Sequence, residues 1–339
     1  MNKIEIIEHY QRLARNKNSL FQVEFDVTKK CNASCPFCFQ GKKHVSDDKL
    51  TLTDIDKMFD DLRELGTFHI AFSGGEPFIR DDFIDILKLA RNHNFRISII
   101  TNAMLLNKDI IDSLSDLNID RITCSFHSIN KKEYMQSFGI DNENLFYAAK
   151  NNISYMKSKK LSIGIAVTVT NINVNSLYDL RDYFLGIGLK DNDINYNMLL
   201  QGNSDLQSLI PDDNDIRRNS ELLRLKDEKL YDEKPRELLC TAARSSCSID
   251  SEGNVYPCTF FNSLAGNIKN TSLKNIWNDS HLLQMIRSIE EKHYEKCANC
   301  SAKGKCGICI ASNLNETKNV FCPSDQFCLS RKDKFCIYD

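Results

Sequence analysis

Three cysteines near the start of the chain have the residue type and the spacing that hold a metal cluster. Cys31, Cys35 and Cys38 stand in the run Cys-Asn-Ala-Ser-Cys-Pro-Phe-Cys, separated by three and then by two residues. A four-iron cluster with three protein thiolates leaves one iron open, whereas the bacterial ferredoxin run supplies sulfur to every iron. Because an open iron can bind an outside ligand, the spacing predicts a cluster that activates a substrate. A zinc knuckle and a redox dithiol are the alternatives for these three residues.

A second and larger group of cysteines lies in the last third of the 339-residue chain, which has 14 cysteines in all. Acidic residues interrupt the apolar residues at the N-terminus, so we expect no signal peptide there. Because disulfides form mainly in exported proteins, these cysteines indicate metal or iron–sulfur sites instead. The pairs Cys297-x2-Cys300 and Cys306-x2-Cys309 alone are as typical of a zinc ribbon as of an iron–sulfur domain. The group exceeds the needs of one tetrahedral site, which favours iron–sulfur clusters. Its members are Cys240, Cys247, Cys258, Cys297, Cys300, Cys306, Cys309, Cys322, Cys328 and Cys336.

The elements that must position these residues alternate between strands and helices. Phe21–Val27 alternates apolar and polar residues, as a strand does, and leads straight into the first cysteine loop. Six such strand–helix units reach about residue 200, which predicts right-handed crossovers and a parallel sheet. We therefore expect an α/β fold, a partial (β/α)6 TIM-like barrel with a small cysteine-rich C-terminal iron–sulfur domain; a doubly wound open sheet is the alternative. The chemistry of such a barrel lies where its strands end, here in the loops 31–38, 73–77, 101–103, 125–128, 170–173 and 201–204.

Composition sets the domain boundaries and excludes some partners. We expect an N-terminal helical segment at 1–20, the barrel at 21–210, a charged helical linker at 211–239 and the cysteine-rich domain at 240–339. The formal net charge of −2 offers no electrostatic basis for binding nucleic acid or an anionic membrane. No apolar run is long enough to cross a bilayer, and the predicted location is the cytoplasm.

The spacing C-x3-C-x2-C, with Phe37 directly before the last cysteine, resembles the signature of radical S-adenosylmethionine (SAM) enzymes. The resemblance implies that Cys31, Cys35 and Cys38 bind a [4Fe–4S] cluster whose open iron chelates the amino and carboxylate groups of SAM. It places Phe37 near the adenine. It also implies that one electron from the cluster cleaves the sulfonium and releases a 5′-deoxyadenosyl radical, and that the fold is a partial barrel.

A glycine-rich turn after the second strand extends the resemblance. Gly74-Gly75-Glu76-Pro77 matches the family's Gly-Gly-Glu-Pro motif residue for residue. Paired glycines allow close approach of the backbone to a ligand, and a plain tight turn is the alternative. The family motif implies that Glu76 and the nearby backbone bind the amino group of SAM.

Two further strand ends carry weaker matches. Asn102 stands in Thr-Asn-Ala, which resembles the family's Thr-Asn-Gly, and Ser125 matches a serine that contacts the ribose or carboxylate of SAM. Many relatives carry an arginine after the fourth strand, where this chain has residues 133–137 without one, so the charge partner of the carboxylate is unassigned. We expect His127 to be a structural histidine and Cys124 a small buried residue.

The C-terminal cysteines resemble the SPASM extension of radical enzymes that mature peptides and proteins. Cys240-x12-Gly253-x4-Cys258 and Cys297-x2-Cys300-x5-Cys306 fit its pattern, whereas Cys309 follows after two residues rather than three. The resemblance implies two auxiliary [4Fe–4S] clusters. The ligands of the first would be Cys240, Cys247, Cys258 and Cys309, and those of the second Cys297, Cys300, Cys306 and Cys328, with Cys322 as the alternative last ligand. We expect Cys336 to be free and Trp277 to pack.

The resemblance implies a radical SAM enzyme that abstracts hydrogen from a peptide or protein substrate, with a reducing partner such as flavodoxin or ferredoxin. The product would be a thioether, a carbon–carbon crosslink, an epimer or an oxidised residue. A formylglycine maturase of the sulfatase type is an alternative, but those enzymes carry Asp where this chain has Thr259. A tetrapyrrole-modifying enzyme and a non-catalytic zinc or iron–sulfur protein are the others. With about 20 residues before the first strand, we expect no N-terminal leader-binding domain.

Overall fold

Six parallel strands carry the cysteine loop and the loops around it. The computed structural model describes residues 3–39, 48–199, 204–224, 239–298, 300, 307–324 and 328. Each strand pairs with the next one along the chain, always in parallel. Their bounds are β1 Gln22–Asp26, β2 His69–Ser73, β3 Arg96–Thr101, β4 Arg121–Ser125, β5 Ile163–Val169 and β6 Ile194–Met198.

The spatial order of these strands distinguishes a barrel from a doubly wound sheet. The order β6-β5-β4-β3-β2-β1 follows the chain without reversal. A doubly wound sheet reverses its strand order at a switch point and carries helices on both faces, whereas consecutive right-handed crossovers keep the helices on one face. The fold is therefore the expected partial TIM-type barrel.

The helices of the barrel begin and end where the sequence supplies caps. Thr51 and Asp54 form a reciprocal capping box at the start of α2, and Asn107 caps α4. The strand–helix pattern of the sequence did not predict α5, a short helix that is capped by Asn130 and ends at Gly139, whose φ is 58°. The bounds are α1 Lys3–Asn16, α2 Leu52–Glu64, α3 Phe83–Asn92, α4 Lys108–Asp116, α5 Lys131–Phe138, α6 Asn144–Ser158, α7 Leu177–Gly186, α8 Asp213–Arg218 and α9 Ser220–Arg224.

Strand alternation sorts side chains between the helix-covered face and the barrel interior. Val23 and Phe25 are 1% and 0% exposed and pack in the main core. Glu24, between them, faces the interior, because successive side chains of a strand point to opposite faces. Cys124 is fully buried on the helix side, as expected, and Ser125 faces inward.

The cysteine-rich region extends the same sheet, which the sequence did not predict. β7 (Ser246–Ile249) pairs in parallel with β1, and β8 (Asn254–Tyr256) and β9 (Gly266–Asn267) continue as antiparallel strands of a nine-stranded sheet. Trp277 packs as expected, 2% exposed, with its Nε1 donating to the Asn18 carbonyl at 2.8 Å. The helices of this region are α10 Leu273–Asp279, α11 His281–Arg287, α12 Glu295–Ala298 and α13 Ile310–Thr317.

In the ranges that the structure describes, no helix is both long and apolar enough to cross a membrane. The cytoplasmic location stays a prediction, as do the four domain boundaries.

Candidate active site

The three N-terminal cysteines gather in the loop that follows β1. Cys31, Cys35 and Cys38 are all half-buried, and the Cys38 amide donates to the Cys35 carbonyl at 3.1 Å. Burial, together with the neighbouring cysteines, raises the pKa of the Cys31 thiol to about 11 and that of Cys35 to about 12. Since clusters bind thiolates, their assembly here must release protons.

Helix α5 holds this loop in place from the other side. The Ser34 amide donates to the Phe138 carbonyl at 2.8 Å. Gly139 follows directly, and a Cβ there would lie 2.3 Å from the Ser34 carbonyl oxygen. Glycine is therefore required both for the positive φ that ends the helix and for this close approach.

The Gly-Gly-Glu-Pro turn lies directly against the backbone that leads into the cysteine loop. The Gly75 amide donates to the Thr28 carbonyl and the Glu76 amide to the Lys30 carbonyl, both at 2.8 Å. A Cβ on Gly75 would lie 2.1 Å from the Lys30 oxygen. The paired glycines thus allow the turn after β2 to contact the segment after β1, at the carboxyl ends of these two strands.

The Glu76 side chain is turned into the protein. Its carboxylate accepts from Thr101 Oγ1 and from the Asn102 amide, both at 2.7 Å, and from the Phe78 amide at 3.3 Å. Burial raises its pKa to about 7. The carboxylate therefore fixes the loop after β3, a positioning contact that the motif comparison did not predict.

Asn102 ties that same loop to the cysteines. Its Nδ2 donates to Asn32 Oδ1 at 2.7 Å, and Asn32 lies between Cys31 and Cys35. The next residue, Ala103, is held at φ 60°, a conformation that costs an L-residue about 1–2 kcal/mol. This backbone explains why the corresponding motif favours glycine.

His127 is structural, as expected, and it positions Phe37. The Thr168 amide donates to His127 Nδ1 at 3.1 Å, and burial lowers the pKa of His127 to about 3. The imidazole stacks on Phe138 at 4.6 Å between centroids and meets the edge of Phe37 at 5.1 Å. Phe37, the aromatic residue before Cys38, is therefore held in place by contact with the neutral imidazole of His127.

Arg80 is a positioning residue that sequence reasoning missed. Its buried guanidinium donates to the Val27 carbonyl at 2.9 Å and the Leu50 carbonyl at 2.8 Å, and it pairs with Asp82 at 2.6 Å. The end of β1 is thus pinned just before the cysteine loop. The only available signal was a lone arginine three residues after the glycine-rich motif.

In the C-terminal region, an isolated β-bridge between Leu239 and Ile308 sets Cys240 near Cys309, and Cys258 lies within range of the charges of both. Burial raises the thiol pKa of Cys240 and of Cys258, and the mutual interaction of these three cysteines adds to it. Ser312 donates to Cys309 Sγ from its hydroxyl at 3.2 Å and from its amide at 3.4 Å. These are three of the four residues that the sequence assigns to the first auxiliary cluster, and their role as ligands stays a prediction.

Cys247, expected as the fourth ligand, is not placed with them. It lies on β7, is 2% exposed, and belongs to the main hydrophobic core. Its strand position turns the thiol toward the helices, where the charge that acts on it is that of Arg287.

The structure gives only part of the second auxiliary site. Cys297, Cys300 and Cys328 are half-buried, and Cys322 is exposed. Tyr294 interacts with both Cys297 and Cys240, which places Cys297 near the first group. Cys306 and Cys336 lie outside the described residues.

Two exposed aromatic rings join the two cysteine regions. Phe39, next to Cys38, lies 5.5 Å from Phe260, two residues after Cys258. Close by in sequence, Lys29 pairs with Asp250 at 3.2 Å and with Glu252 at 3.4 Å. The loop after β1 is therefore in contact with the turn between β7 and β8 through Lys29, and with the loop after β8 through Phe39.

Orphaned polar atoms beside both cysteine groups fit anionic iron–sulfur clusters. Tyr134 Oη and Arg244 Nη1 are buried without a hydrogen-bond partner among the described residues. Tyr134 interacts electrostatically with Cys124 first and then with Cys35, and Arg244 with Cys240. In the same ranges, no three His, Cys, Asp or Glu side chains form a group that could hold a single metal ion. A four-iron cluster instead binds each thiolate at a different iron.

Comparison with known proteins matches both regions. Residues 25–184 match the radical SAM superfamily, and residues 240–301 match the SPASM iron–sulfur cluster-binding domain. A cofactor-modifying protein of the tungsten-containing aldehyde ferredoxin oxidoreductase from Pyrococcus furiosus is 25% identical, over 92% of this chain and 95% of its own. The mycofactocin maturase MftC of Mycolicibacterium smegmatis is 23% identical, over 90% and 81%.

A solved structure shows the same fold. SuiB of Streptococcus suis, bound to its precursor peptide SuiA, superposes with a TM-score of 0.73 at 19% identity, covering 94% of this chain and 79% of that one. The matched domains agree with the two cysteine groups that the fold assembles. The chain therefore carries a radical SAM domain followed by a SPASM region, and it is an enzyme whose cofactors are SAM, a [4Fe–4S] cluster and the auxiliary clusters of that region.

Proposed function

We propose that this enzyme abstracts a hydrogen atom from a side chain of a peptide or protein and thereby modifies it after translation. The observation that carries the proposal is the contact between Phe39 and Phe260, which sets the loop of Cys38 against the loop of Cys258. A substrate bound at this junction would lie close to both cysteine groups. The similarity to MftC and the fold shared with peptide-bound SuiB support a peptide as that substrate.

The residues of the barrel would hold the cofactor and exclude water. SAM, when bound and reduced by one electron, supplies a 5′-deoxyadenosyl radical. Cys31, Cys35 and Cys38 would hold the cluster. Glu76 and the backbone of the Gly-Gly-Glu-Pro turn would meet the amino group of SAM, with the Glu76 carboxylate oriented by Thr101 and the Asn102 amide. Phe37, backed by His127, would line the adenine site.

The barrel interior offers a polar site for the substrate. Glu24 faces it from the middle of β1. His69 faces it from the start of β2, at the end away from the cysteine loop, with its Nε2 2.9 Å from Ser98 Oγ. Burial raises the pKa of Glu24 to about 7 and lowers that of His69 to about 4. Polar groups on strand ends and strand faces suit the backbone amides of a peptide better than they suit an apolar ligand.

The auxiliary clusters would move electrons to or from the substrate, with a flavodoxin or ferredoxin as the external reductant. The burial of Cys240 and Cys258 and the buried charge of Arg244 are the levers that set the potential of such clusters. The product would be a thioether, a carbon–carbon crosslink, an epimer or an oxidised residue.

Hydrogen transfer can be followed directly. The anaerobically reconstituted enzyme is incubated with SAM, dithionite and a peptide encoded by a short reading frame beside its gene, made with deuterated amino acids. We expect deuterium in 5′-deoxyadenosine and a matching mass change in the peptide. 5′-Deoxyadenosine without deuterium, next to an unmodified peptide, would contradict a peptide substrate. The same assay with a deuterated tetrapyrrole tests the alternative of tetrapyrrole modification.

A further inference from the structure

The inner face of the barrel sheet is accessible to solvent, whereas its outer face is sealed by the helices. From the start to the middle of β1, β2, β3 and β4, burial alternates with every residue. The side chains toward the helices are buried, and those toward the barrel interior are partly exposed, because successive residues of a strand point to opposite faces. A side chain of a substrate can therefore enter the interior.

Glu24 is a long side chain in a row of short ones on this inner face. In the strand register it lies beside Ala71 of β2 on one side and beside Ser248 of β7 on the other. Ser98 of β3 continues the row beyond Ala71. None of these three neighbours is long enough to fill the space that the carboxyl group reaches. The carboxyl group of Glu24 therefore borders the open interior of the barrel.

This carboxyl group has no partner within the chain. Among the described residues, none donates a hydrogen bond to Glu24 or forms an ion pair with it. Burial alone raises its pKa, without a contribution from any neighbouring charge. A carboxylate removed from water is costly unless it is paired, and proteins rarely bury one for packing alone. An unpaired carboxyl group that faces an open interior is therefore a candidate for binding a ligand.

The inward-facing arginines of the neighbouring strands are occupied elsewhere. Arg96, at the start of β3, pairs with Asp120 at 2.8 Å. Arg121, at the start of β4, pairs with Asp193 at 3.0 Å. Both pairs lie at the amino ends of the strands, away from the cysteine loop. Neither guanidinium group therefore neutralises Glu24.

The other groups that face the interior add no positive charge. His69 is neutral, since burial lowers its pKa to about 4, and its Nε2 lies 2.9 Å from Ser98 Oγ. Asp26, the next inward-facing residue of β1, is 8% exposed and brings a second carboxyl group nearer to the cysteine loop. The inward-facing residues of β5, β6 and β7 are uncharged. At the level of Glu24, the interior is therefore acidic.

We propose that Glu24 is a specificity-determining residue whose carboxylate binds the cationic side chain of a lysine or arginine in the peptide substrate. This inference rests on the proposed function and narrows its substrate class. The short neighbours of Glu24 leave room for an unbranched side chain, and an ammonium or guanidinium group supplies the charge-assisted hydrogen bonds that this chain does not. The carboxylates of a tetrapyrrole would instead meet like charge.

Binding of small cations tests this contact without turnover. The reconstituted enzyme, saturated with SAM and without reductant, is titrated with n-butylammonium and n-butylguanidinium and followed by saturation-transfer difference NMR. n-Butanol and n-butyrate are the uncharged and anionic probes. The pH is 8 and the ionic strength is constant, so that Glu24, whose pKa is about 7, is ionised.

We expect the wild type to bind at least one of the two cations, and Glu24→Gln to bind it about tenfold more weakly or less. Asp85→Asn is the control, because it removes one carboxylate of an exposed ion pair, and it should bind the cations as the wild type does. Absence of cation binding, equal affinity of the wild type and Glu24→Gln, or equal binding of n-butanol would each overturn the proposal.

Charge reversal tests the contact in a peptide. Each lysine and arginine of the peptide encoded beside the gene is replaced in turn by glutamate, and hydrogen transfer to 5′-deoxyadenosine is measured with the wild type and with Glu24→Lys. We expect one of these peptides to lose about tenfold or more in kcat/KM with the wild type and to recover with Glu24→Lys. If Glu24→Lys does not fold, Glu24→Gln should discriminate against that peptide no longer.

The two assays separate this proposal from the proposed function. If the wild type modifies the parent peptide but no replacement behaves in this way, the role of Glu24 is wrong and the peptide substrate stands. If the peptide is not modified at all, the proposed function fails, and the binding of the small cations still decides whether Glu24 selects a positive charge.

Discussion

Replacing Gly75 by alanine should separate two segments that the active site needs in contact. The glycine needs no positive φ, so the effect of a methyl group there is steric alone. That methyl carbon would lie 2.1 Å from the Lys30 carbonyl oxygen and 2.9 Å from that of Lys29. Both oxygens are backbone atoms at the entrance to the cysteine loop, which cannot rotate away as a flexible side chain would.

The cost follows from the displacement that relieves this overlap. Restoring ordinary contact requires a shift of about 1 Å, and overpacking of this kind costs roughly 1–3 kcal/mol. The same shift lengthens two hydrogen bonds, from the Gly75 and Glu76 amides, beyond their present 2.8 Å and out of range. At about 1 kcal/mol for each bond, the free energy of unfolding should fall by about 3–5 kcal/mol.

Anaerobic thermal unfolding, iron analysis and SAM binding measure the effect. We expect Gly75→Ala to lower the Tm by roughly 10 °C, to retain less iron than the wild type and to bind SAM more weakly. Gly186→Ala is the control: a Cβ there meets no atom within 4 Å, and alanine in place of the last residue of α7 should stabilise by up to about 1 kcal/mol. If Gly75→Ala matched the wild type in all three measurements, the turn would not be docked as described.

Three further substitutions test individual groups. Because burial raises the pKa of Glu24 from 4.5 to about 7, its ionisation opposes folding as the pH rises from 4.5 to 7. The free energy of unfolding of Glu24→Gln should exceed that of the wild type by up to about 3 kcal/mol at pH 8 and by nothing below pH 4.5. A pH-independent difference between the two would refute this. His127→Asn retains an acceptor for the Thr168 amide, whereas His127→Leu leaves it unpaired and should be less stable by about 1–3 kcal/mol in denaturant titrations; equal stability would contradict the assigned bond. Arg80→Met leaves the Val27 and Leu50 carbonyls without their donor and should lower the free energy of unfolding by about 3 kcal/mol or more. The control Lys88→Met removes an exposed ion pair and should change it by less than about 1 kcal/mol. Similar losses in both variants would contradict the positioning role of Arg80.

The sequence predicted the barrel because its signals are local. Alternation along Phe21–Val27 and the succession of strand and helix signals after it are visible without any tertiary contact. The first cysteine group and the glycine-rich turn were predictable for the same reason, since each is one short run that follows a strand. Packing then brings the two together at the carboxyl ends of β1 and β2.

What the sequence did not predict depends on register and on distant partners. Cys247 is close to Cys240 in sequence, and only the pairing of β7 with β1 and β8 shows which way its thiol points. The contacts of the Glu76 carboxylate with Thr101 and Asn102, 25 and 26 residues away, could not be predicted from the motif, whose contact with SAM stays a prediction. Helix α5 was missed because it is only eight residues long, too short for a clear apolar period.

Cleavage of SAM is the most direct test of the central claim. That claim is that the loop of Cys31, Cys35 and Cys38 holds the cluster that cleaves SAM. The measurement is 5′-deoxyadenosine formed anaerobically from SAM and dithionite by the reconstituted wild type and by Cys35→Ala, with Cys124→Ala as the matched control. We predict 5′-deoxyadenosine from the wild type and from Cys124→Ala, and none above background from Cys35→Ala, which should contain about four fewer irons. A wild type that binds zinc in place of iron and forms no 5′-deoxyadenosine, or a Cys35→Ala variant as active as the wild type, would contradict it.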